Sequence, residues 1–366
     1  LILPESFDVI VLGAGISGLS VADAVLQQGK SCVIIDPNEP GSGASGAPLM
    51  LINPATGRRA KKAWNAEKAF DLAGNLLQRI QNQSRQPFYE QNGVLRPALT
   101  EEIAKDFERS VTKYDWDDGW LEWIDKAELS RRFPFIGNHF GGLLVKKAIT
   151  LLGSVFMRSY SRFLKKKFLQ TEYGRQPEVF RIKENWYVDL GGGAEYTSTI
   201  VVDATGRYQT ESEYWKFLPL HPVKGQLATY YFQNPLELDY SISSLGYMAV
   251  TKILPKQITV GSTYEHDFDS LKTTPQASAA LQKKFEKTLP GLLGKSIRTR
   301  QWASVRVSLP DKMPVIGAHP EEPGLYIIGA LGSRGMLLGK LAAEQLVQHM
   351  FHGLSPDKEI SVDRYL

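Results

Sequence analysis

The chain has 366 residues, 43% of them hydrophobic and 22% charged, with a formal net charge of +4. That length buries a substantial core, divided by ordinary domain sizes into two domains. The composition excludes a low-complexity or disordered chain, and no apolar run reaches the ~18 residues of a membrane span. The single cysteine, Cys32, excludes an intrachain disulfide framework and reads as a small buried hydrophobe. The six histidines are scattered without ligand spacing, so no metal is expected. The first strand begins almost at once, so no leader is expected and the cytoplasm is the expected compartment. Three basic runs, Arg58-Arg59-Ala-Lys61-Lys62, Lys165 to Lys167, and Lys295 through Arg298 to Arg300, read as solvated faces. They permit a polyanionic partner without arguing for one.

In chain order, the first element is Phe7-Asp-Val-Ile-Val-Leu, an apolar run too short for a helix and therefore a buried strand. It runs into Gly13-Ala-Gly15-Ile16-Ser17-Gly18 and a helix expected to reach about Gln28, with Gly29 as its stop. A second strand, Cys32-Val-Ile-Ile, ends at Asp36-Pro37. Residues 40–48 hold too many glycines for a regular element and read as a loop containing Gly43-Ala44-Ser45-Gly46. Helices are expected over 62–83 and 100–112, with a short strand at Val94-Leu-Arg between them, then a strand over 141–148 and a helix over 151–166. Strands follow at 178–183, 186–190 and 198–203, the last running into Asp203-Ala204-Thr205-Gly206. From about 222 the pattern turns β-rich, with strands at 225–232, 247–250 and 257–264, then a helix over 275–288. The chain finishes with strand 326–329, the loop Gly329 to Gly335, and a helix from Met336 to about Met350.

The β-α-β start, β-rich middle and strand–helix return imply an α/β fold. A Rossmann-like domain of 1–85, 140–215 and 300–366 is interrupted by a mixed-sheet substrate domain of 86–139 and 216–299. The opening motif has a physical task, holding a dinucleotide. Gly13 permits the tight turn, Gly15 lets backbone approach a pyrophosphate, and Gly18 lets helix pack on strand. The helix N-terminus offers free N–H groups and a positive dipole end to phosphates, and Asp36 is placed to accept from ribose hydroxyls. NAD and FAD share this fingerprint. Three further glycine-rich loops, 41–46, 203–206 and 329–335, favour the longer flavin cofactor. In the last loop, Gly332, Ser333, Arg334, Gly335 and Met336 open a helix, where the amides and Arg334 suit negative charge on a reduced flavin. Arg334 could instead serve the substrate.

These four loops together resemble the D-amino-acid oxidase/glycine oxidase family of FAD enzymes. The local match is to the C-terminal oxidase domain of the bifunctional tRNA-modifying enzymes called MnmC. It is carried by Gly-Ala-Ser-Gly at 43–46, by Arg306-Val-Ser-Leu-Pro-Asp311-Lys-Met-Pro314-Val-Ile-Gly317, and by Gly332-Ser-Arg-Gly335. The stretch after Gly46, Ala-Pro-Leu-Met-Leu-Ile-Asn-Pro54, keeps the family's spacing but not its usual residues. The resemblance implies non-covalent FAD and oxidation of a C–N bond in an amine that bears a carboxylate. The substrate would be a glycine-, sarcosine- or D-amino-acid-like molecule, or a carboxymethylaminomethyl group on tRNA. It implies Arg306 as the carboxylate anchor, since a guanidinium fork suits bidentate pairing, with Tyr247 assisting. Lys224 and Gln226 are expected to line the domain junction. A flavin-binding regulatory module without amine turnover is the alternative.

Overall fold

The computed structural model describes residues 3–167 and 169–366. Its first sheet has six strands in the order Gln170–Tyr173, Cys32–Asp36, Val9–Leu12, Val201–Asp203, Leu325–Gly329 and Val315–Ala318. All neighbours are parallel except the last pair, which is antiparallel. The strands Val9–Leu12 and Cys32–Asp36 carry unbroken apolar runs because both faces are covered. Helices Ile16–Gln27, Ala66–Gln81, Gly153–Lys165 and Gly335–His352 pack in the core on one face. Cys32 is buried in this sheet, and desolvation raises its thiol pKa, which leaves an inert packing residue.

The second large sheet has eight strands: Ser296–Ser308, His221–Phe232, Gln257–Gly261, Tyr247–Ala249, Ser241–Ser243, Val94–Pro97, Gly142–Val145 and Leu121–Ile124. Its Ala228, Tyr230 and Val260 face packs on helix Pro275–Thr288 through Leu281 and Phe285. Two stretches cross the division expected from sequence. Gly142–Val145 lies beyond residue 140 yet pairs with Val94–Pro97 here, and Ser296–Ser308 runs through residue 300.

Helix ends follow local chemistry. Thr274 caps Pro275–Thr288 by accepting from the Ala277 N–H, and Thr100 caps Glu101–Lys113 through Ile103. Gly29, at φ +71°, ends the first helix as expected. The helix expected from residue 62 starts at Ala66, because Lys61–Lys62 pairs with Ala55–Thr56 and Asn65 sits at φ +46°. The helix expected from 151 starts at Gly153, because Ile149–Leu151 pairs with Met50–Ile52. The strand expected to reach 264 ends at Gly261.

One buried ionic cluster pins three helices behind the glycine turn. Asp23 is fully buried on the first helix, where it accepts from Lys340 Nζ at 2.9 Å and from Arg79. Burial alone would raise its pKa, but Lys340 and Arg79 more than offset this and the net shift is downward. The stability contributed is therefore present above the ordinary carboxylate range and lost as pH falls through the depressed native value. Asp23→Ala leaves Lys340 with Glu344 alone, at 3.4 Å. The expected cost is about 3 kcal/mol, the lower end for a broken buried pair. Urea denaturation at neutral pH and again in acid checks this, since the difference between wild type and variant should shrink in acid.

Candidate active site

The glycine turn is shaped by close approach. Gly13 has φ +100°, and a Cβ on it would lie 2.5 Å from the Ala204 carbonyl oxygen. A Cβ on Gly18 would lie 1.9 Å from the Gly13 oxygen. Gly15 differs, since only Ser45 Oγ comes within reach of a Cβ there, at 3.4 Å. The protein thus leaves that backbone face open, as a phosphate-approaching glycine requires. Ser45 Oγ accepts the Ile16 N–H at 3.0 Å, which ties the 41–46 loop to the helix N-terminus and keeps the hydroxyl proton free for a further acceptor. Asp36 accepts from the Ala14 N–H at 2.7 Å and from the Asn38 N–H at 2.8 Å. Burial raises its pKa, and those two bonds oppose the rise. Pro37 follows Asp36 in the turn to Asn38 and is half-buried.

The other loops converge on this turn. Gly46 closes on Gly41, whose oxygen would sit 1.6 Å from a Cβ on Gly46, and Gly43 and Ala44 form the loop's outer bend. Ala204 presses on Gly13 from the second loop, where Gly206 takes φ +62°. Asp203 is buried and accepts from the Thr205 N–H and hydroxyl and from the Trp215 indole. The Thr205 hydroxyl is thereby committed to the protein. In the third loop the Gly332 N–H donates to the Val307 oxygen at 2.9 Å. Gly335 and Gly339 bring the last helix onto Ile16, each with a Cβ position 3.2 Å from the isoleucine side chain. Ile16, expected at the cofactor, therefore uses its side chain for helix packing and its N–H on Ser45. Ser17, Ser333 and Met336 keep partial or full exposure around these helix starts.

Arg334 is half-buried, and burial lowers its pKa while the Asp311 carboxylate opposes this. Among the described residues its guanidinium has no hydrogen-bond or ion-pair partner. That is a cation held beside a helix N-terminus with room for an anion.

Arg306 lies next to Val307 on strand Ser296–Ser308, so the Gly332–Val307 bond fixes it beside the third loop. Its guanidinium donates to Ser262 Oγ at 3.2 Å and stacks on Tyr264 at 4.9 Å, with no carboxylate partner among the described residues. Gly225 makes the room, since a Cβ there would lie 2.9 Å from the guanidinium. Lys284 Nζ donates to the Ser262 oxygen at 2.8 Å, and burial lowers its pKa. Tyr247 joins this group. Its pKa is raised by burial and pulled back by Arg306, and its hydroxyl donates to the Leu49 oxygen at 3.0 Å. That proton is spent on the backbone, so the hydroxyl presents only lone pairs to any ligand. Lys224 and Gln226 are engaged inside their own sheet and its flank, Lys224 with Glu265 and the Lys272 oxygen, Gln226 with Glu265 and Thr274.

The structure therefore brings Arg306 and Tyr247 together and gathers the four loops around one helix N-terminus. Sequence reasoning missed Ser262, Tyr264 and Lys284. The only local hint was Gly261-Ser262 breaking an otherwise strand-like run.

A parallel sheet with a glycine turn at its switch region, three converging glycine loops and an adjacent mixed sheet define a dinucleotide-dependent enzyme scaffold. The chain belongs to the family described as DAO, FAD dependent oxidoreductase, whose sequence profile matches residues 8–349. It is 25% identical over 352 residues to the tRNA 5-methylaminomethyl-2-thiouridine biosynthesis bifunctional protein MnmC of Thiobacillus denitrificans, covering 92% of this chain and 55% of that protein. The chain spans about half the length of the curated relatives it matches. Among solved structures, glycine oxidase from Geobacillus kaustophilus superposes with a TM-score of 0.85 at 18% identity, covering 96% of each chain. Iminodiacetate oxidase from Chelativorans sp. BNC1 gives 0.81 at 19% identity over 98% of each. The family resemblance read from the motifs holds, and the protein is an FAD-dependent oxidoreductase. The residues present fit FAD: the open face of Gly15, the acceptor Asp36, the free Ser45 proton and unpartnered Arg334 are what a long dianionic cofactor needs. Among the described residues no helix is long and apolar enough to cross a membrane, and no group of acidic, histidine or cysteine side chains could hold a metal.

Proposed function

We propose that the chain oxidises the C–N bond of an amine bearing a carboxylate on the adjacent carbon. The observation that carries this reading is Arg306, a partly buried guanidinium without a carboxylate partner among the described residues, fixed by its neighbour Val307 to the Gly332 loop. A substrate carboxylate paired there bidentately would be held still while its α-carbon lies toward the cofactor loops. Non-covalent FAD, when bound, would supply the two-electron acceptor for this oxidation. Gly15, Ser17 and Gly18 would hold its phosphates, Asp36 its ribose, and Arg334 the charge that develops on its ring. Tyr264 and Tyr247 wall the carboxylate end, and Lys284 adds positive potential. The substrate leaves as an imine that water hydrolyses, so no side-chain nucleophile is needed.

The names of the relatives divide the substrate between a small amino acid and a modified group on tRNA. Anaerobic mixing tests both. The visible flavin band should bleach with one of glycine, sarcosine, a D-amino acid, proline or carboxymethylaminomethyl-uridine tRNA. If all of these leave the flavin oxidised, the reading is wrong.

A further inference from the structure

Arg306 pairs with Val223, so Lys224 and Gln226 face the opposite side of the sheet from the guanidinium. The strand beside them carries an irregularity that matters here. Leu227 pairs with Gly261 and Lys224 bridges Glu265, so three steps on one strand match four on the other. The extra residue is a β-bulge just after Gly261. Straight alternation from Gly261, whose open side faces Leu227 and Tyr247, would send Ser262 and Tyr264 to the rear. With the bulge, Ser262 and Tyr264 both meet Arg306. Thr263 and Glu265 turn instead toward Gln226 and Lys224.

The rear side chains form one network. Glu265 accepts from the Thr263 hydroxyl at 2.6 Å and from Gln226 Nε2 at 2.9 and 3.1 Å, and lies 3.5 Å from Lys224 Nζ. Lys224 and Gln226 are only 2% and 1% exposed. The Lys224 ammonium also donates to the Lys272 oxygen at 2.9 Å. Burial would raise the Glu265 pKa, but Thr263, Gln226 and Lys224 outweigh it and the net shift is downward, so the carboxylate stays charged. Gln226 Oε1 accepts the Thr274 N–H at 2.8 Å, which fixes the start of helix Pro275–Thr288. That helix returns Lys284 to the Ser262 oxygen at 2.8 Å. The bulge is thus held at Ser262 by Lys284 and at its far end by Glu265. Farther along the same rear face, Ala228, Tyr230 and Val260 are apolar and pack on Leu281 and Phe285. A buried ion pair often stabilises no more than apolar side chains of similar volume. Its use directly behind the guanidinium therefore points to position rather than stability.

We infer that Glu265 is a positioning residue for Arg306: with Lys224, Gln226 and Thr263 it locks the bulge in register and so keeps Ser262 and Tyr264 against the guanidinium. A one-residue slip turns every side chain it passes through to the other face. Here it would take the hydroxyl and the ring from Arg306 together and leave the fork free to turn. The inference rests on the assignment of Arg306 to the substrate carboxylate. It adds the residues that aim that fork from behind the sheet.

The test uses the flavin-loaded protein and benzoate, a carboxylate with no amine to oxidise, titrated against the shift it causes in the flavin band. Glu265→Gln should raise the benzoate Kd about tenfold, and Thr263→Val about threefold, with the flavin-to-protein absorbance ratio unchanged. Thr263→Ser keeps the hydroxyl and should stay within about twofold of wild type. In an Arg306→Ala background neither change should weaken binding further, because no fork is left to aim. That non-additivity separates positioning from general loosening, which weakens both backgrounds alike. KM for whichever amine bleaches the flavin should rise with the benzoate Kd, with kcat little changed. If Glu265→Gln does not fold, the Thr263 pair carries the test. Wild-type Kd in Glu265→Gln and Thr263→Val, or equal weakening with and without Arg306, would overturn the lock and leave the anchor. Benzoate binding that is the same in wild type and Arg306→Ala would overturn the anchor itself, and the lock with it.

Discussion

Arg306→Ala should leave a yellow, folded protein that has lost its grip on carboxylate-bearing amines. The side chain is no structural keystone, since its contacts are one hydrogen bond to Ser262 and the stack on Tyr264. Removing it leaves no protein carboxylate orphaned, and the Gly332–Val307 bond runs through backbone that the change spares. A substrate carboxylate, by contrast, would lose a desolvated bidentate partner. That loss is worth about 2–5 kcal/mol, or roughly 30- to 4,000-fold in kcat/KM. Arg306→Lys should recover only part of it, because an ammonium keeps the charge but not the fork. Steady-state kinetics on whichever amine bleaches the flavin, with the flavin-to-protein absorbance ratio recorded for each variant, gives the answer. Wild-type kcat/KM in the alanine variant would remove Arg306 from the substrate site. A colourless alanine variant would move it to the cofactor.

The nucleotide-binding end of the molecule was legible because its signals are local. An apolar run, three glycines at set spacing and an acid after the next strand each constrain their own neighbourhood, and Gly13 and Gly18 make the tight turn and the close helix–strand contact which that reading expects. The proposed substrate side was legible only through Arg306 and Tyr247, and those came from resemblance rather than from physics. Ser262, Tyr264 and Lys284 reach Arg306 through sheet pairing and a packed helix, contacts that leave no mark in their own sequence windows. Strand Ser296–Ser308 was missed for a different reason. Its first half, Ser-Ile-Arg-Thr-Arg-Gln, is exposed on a sheet edge, so burial does not impose alternation there. Asp23 shows the limit in the core. On a helix it reads as a solvent-facing acid, and its partner Lys340 lies at the other end of the chain.

Two glycine substitutions in one turn should separate folding from cofactor binding. Gly18→Ala puts a methyl where the Gly13 oxygen already lies, 1.9 Å away, and both atoms belong to backbone held by neighbours. Gly13 cannot yield, because its N–H donates to the Ile35 oxygen at 2.8 Å and its Cα faces Ala204. The helix must therefore lift from the first strand, with a loss of packing at the centre of the parallel sheet. The cost should exceed the 1–3 kcal/mol typical of overpacking, and insoluble or molten protein is the expected product. Gly15→Val meets no such obstacle. Gly15 has φ −76° and ψ −176°, an extended conformation open to valine, and its Cβ direction holds only the Ser45 hydroxyl at 3.4 Å. The variant should fold, with circular dichroism and melting like those of wild-type protein stripped of flavin. It should nonetheless be colourless, because the new isopropyl group occupies the space through which a pyrophosphate reaches the Ser17 and Gly18 amides. Added FAD should neither raise its melting temperature nor restore the visible band, whereas stripped wild type recovers both. A yellow Gly15→Val protein would mean that the phosphates take another path past this helix, and the roles given to Ser17, Ser45 and Asp36 would fall with it.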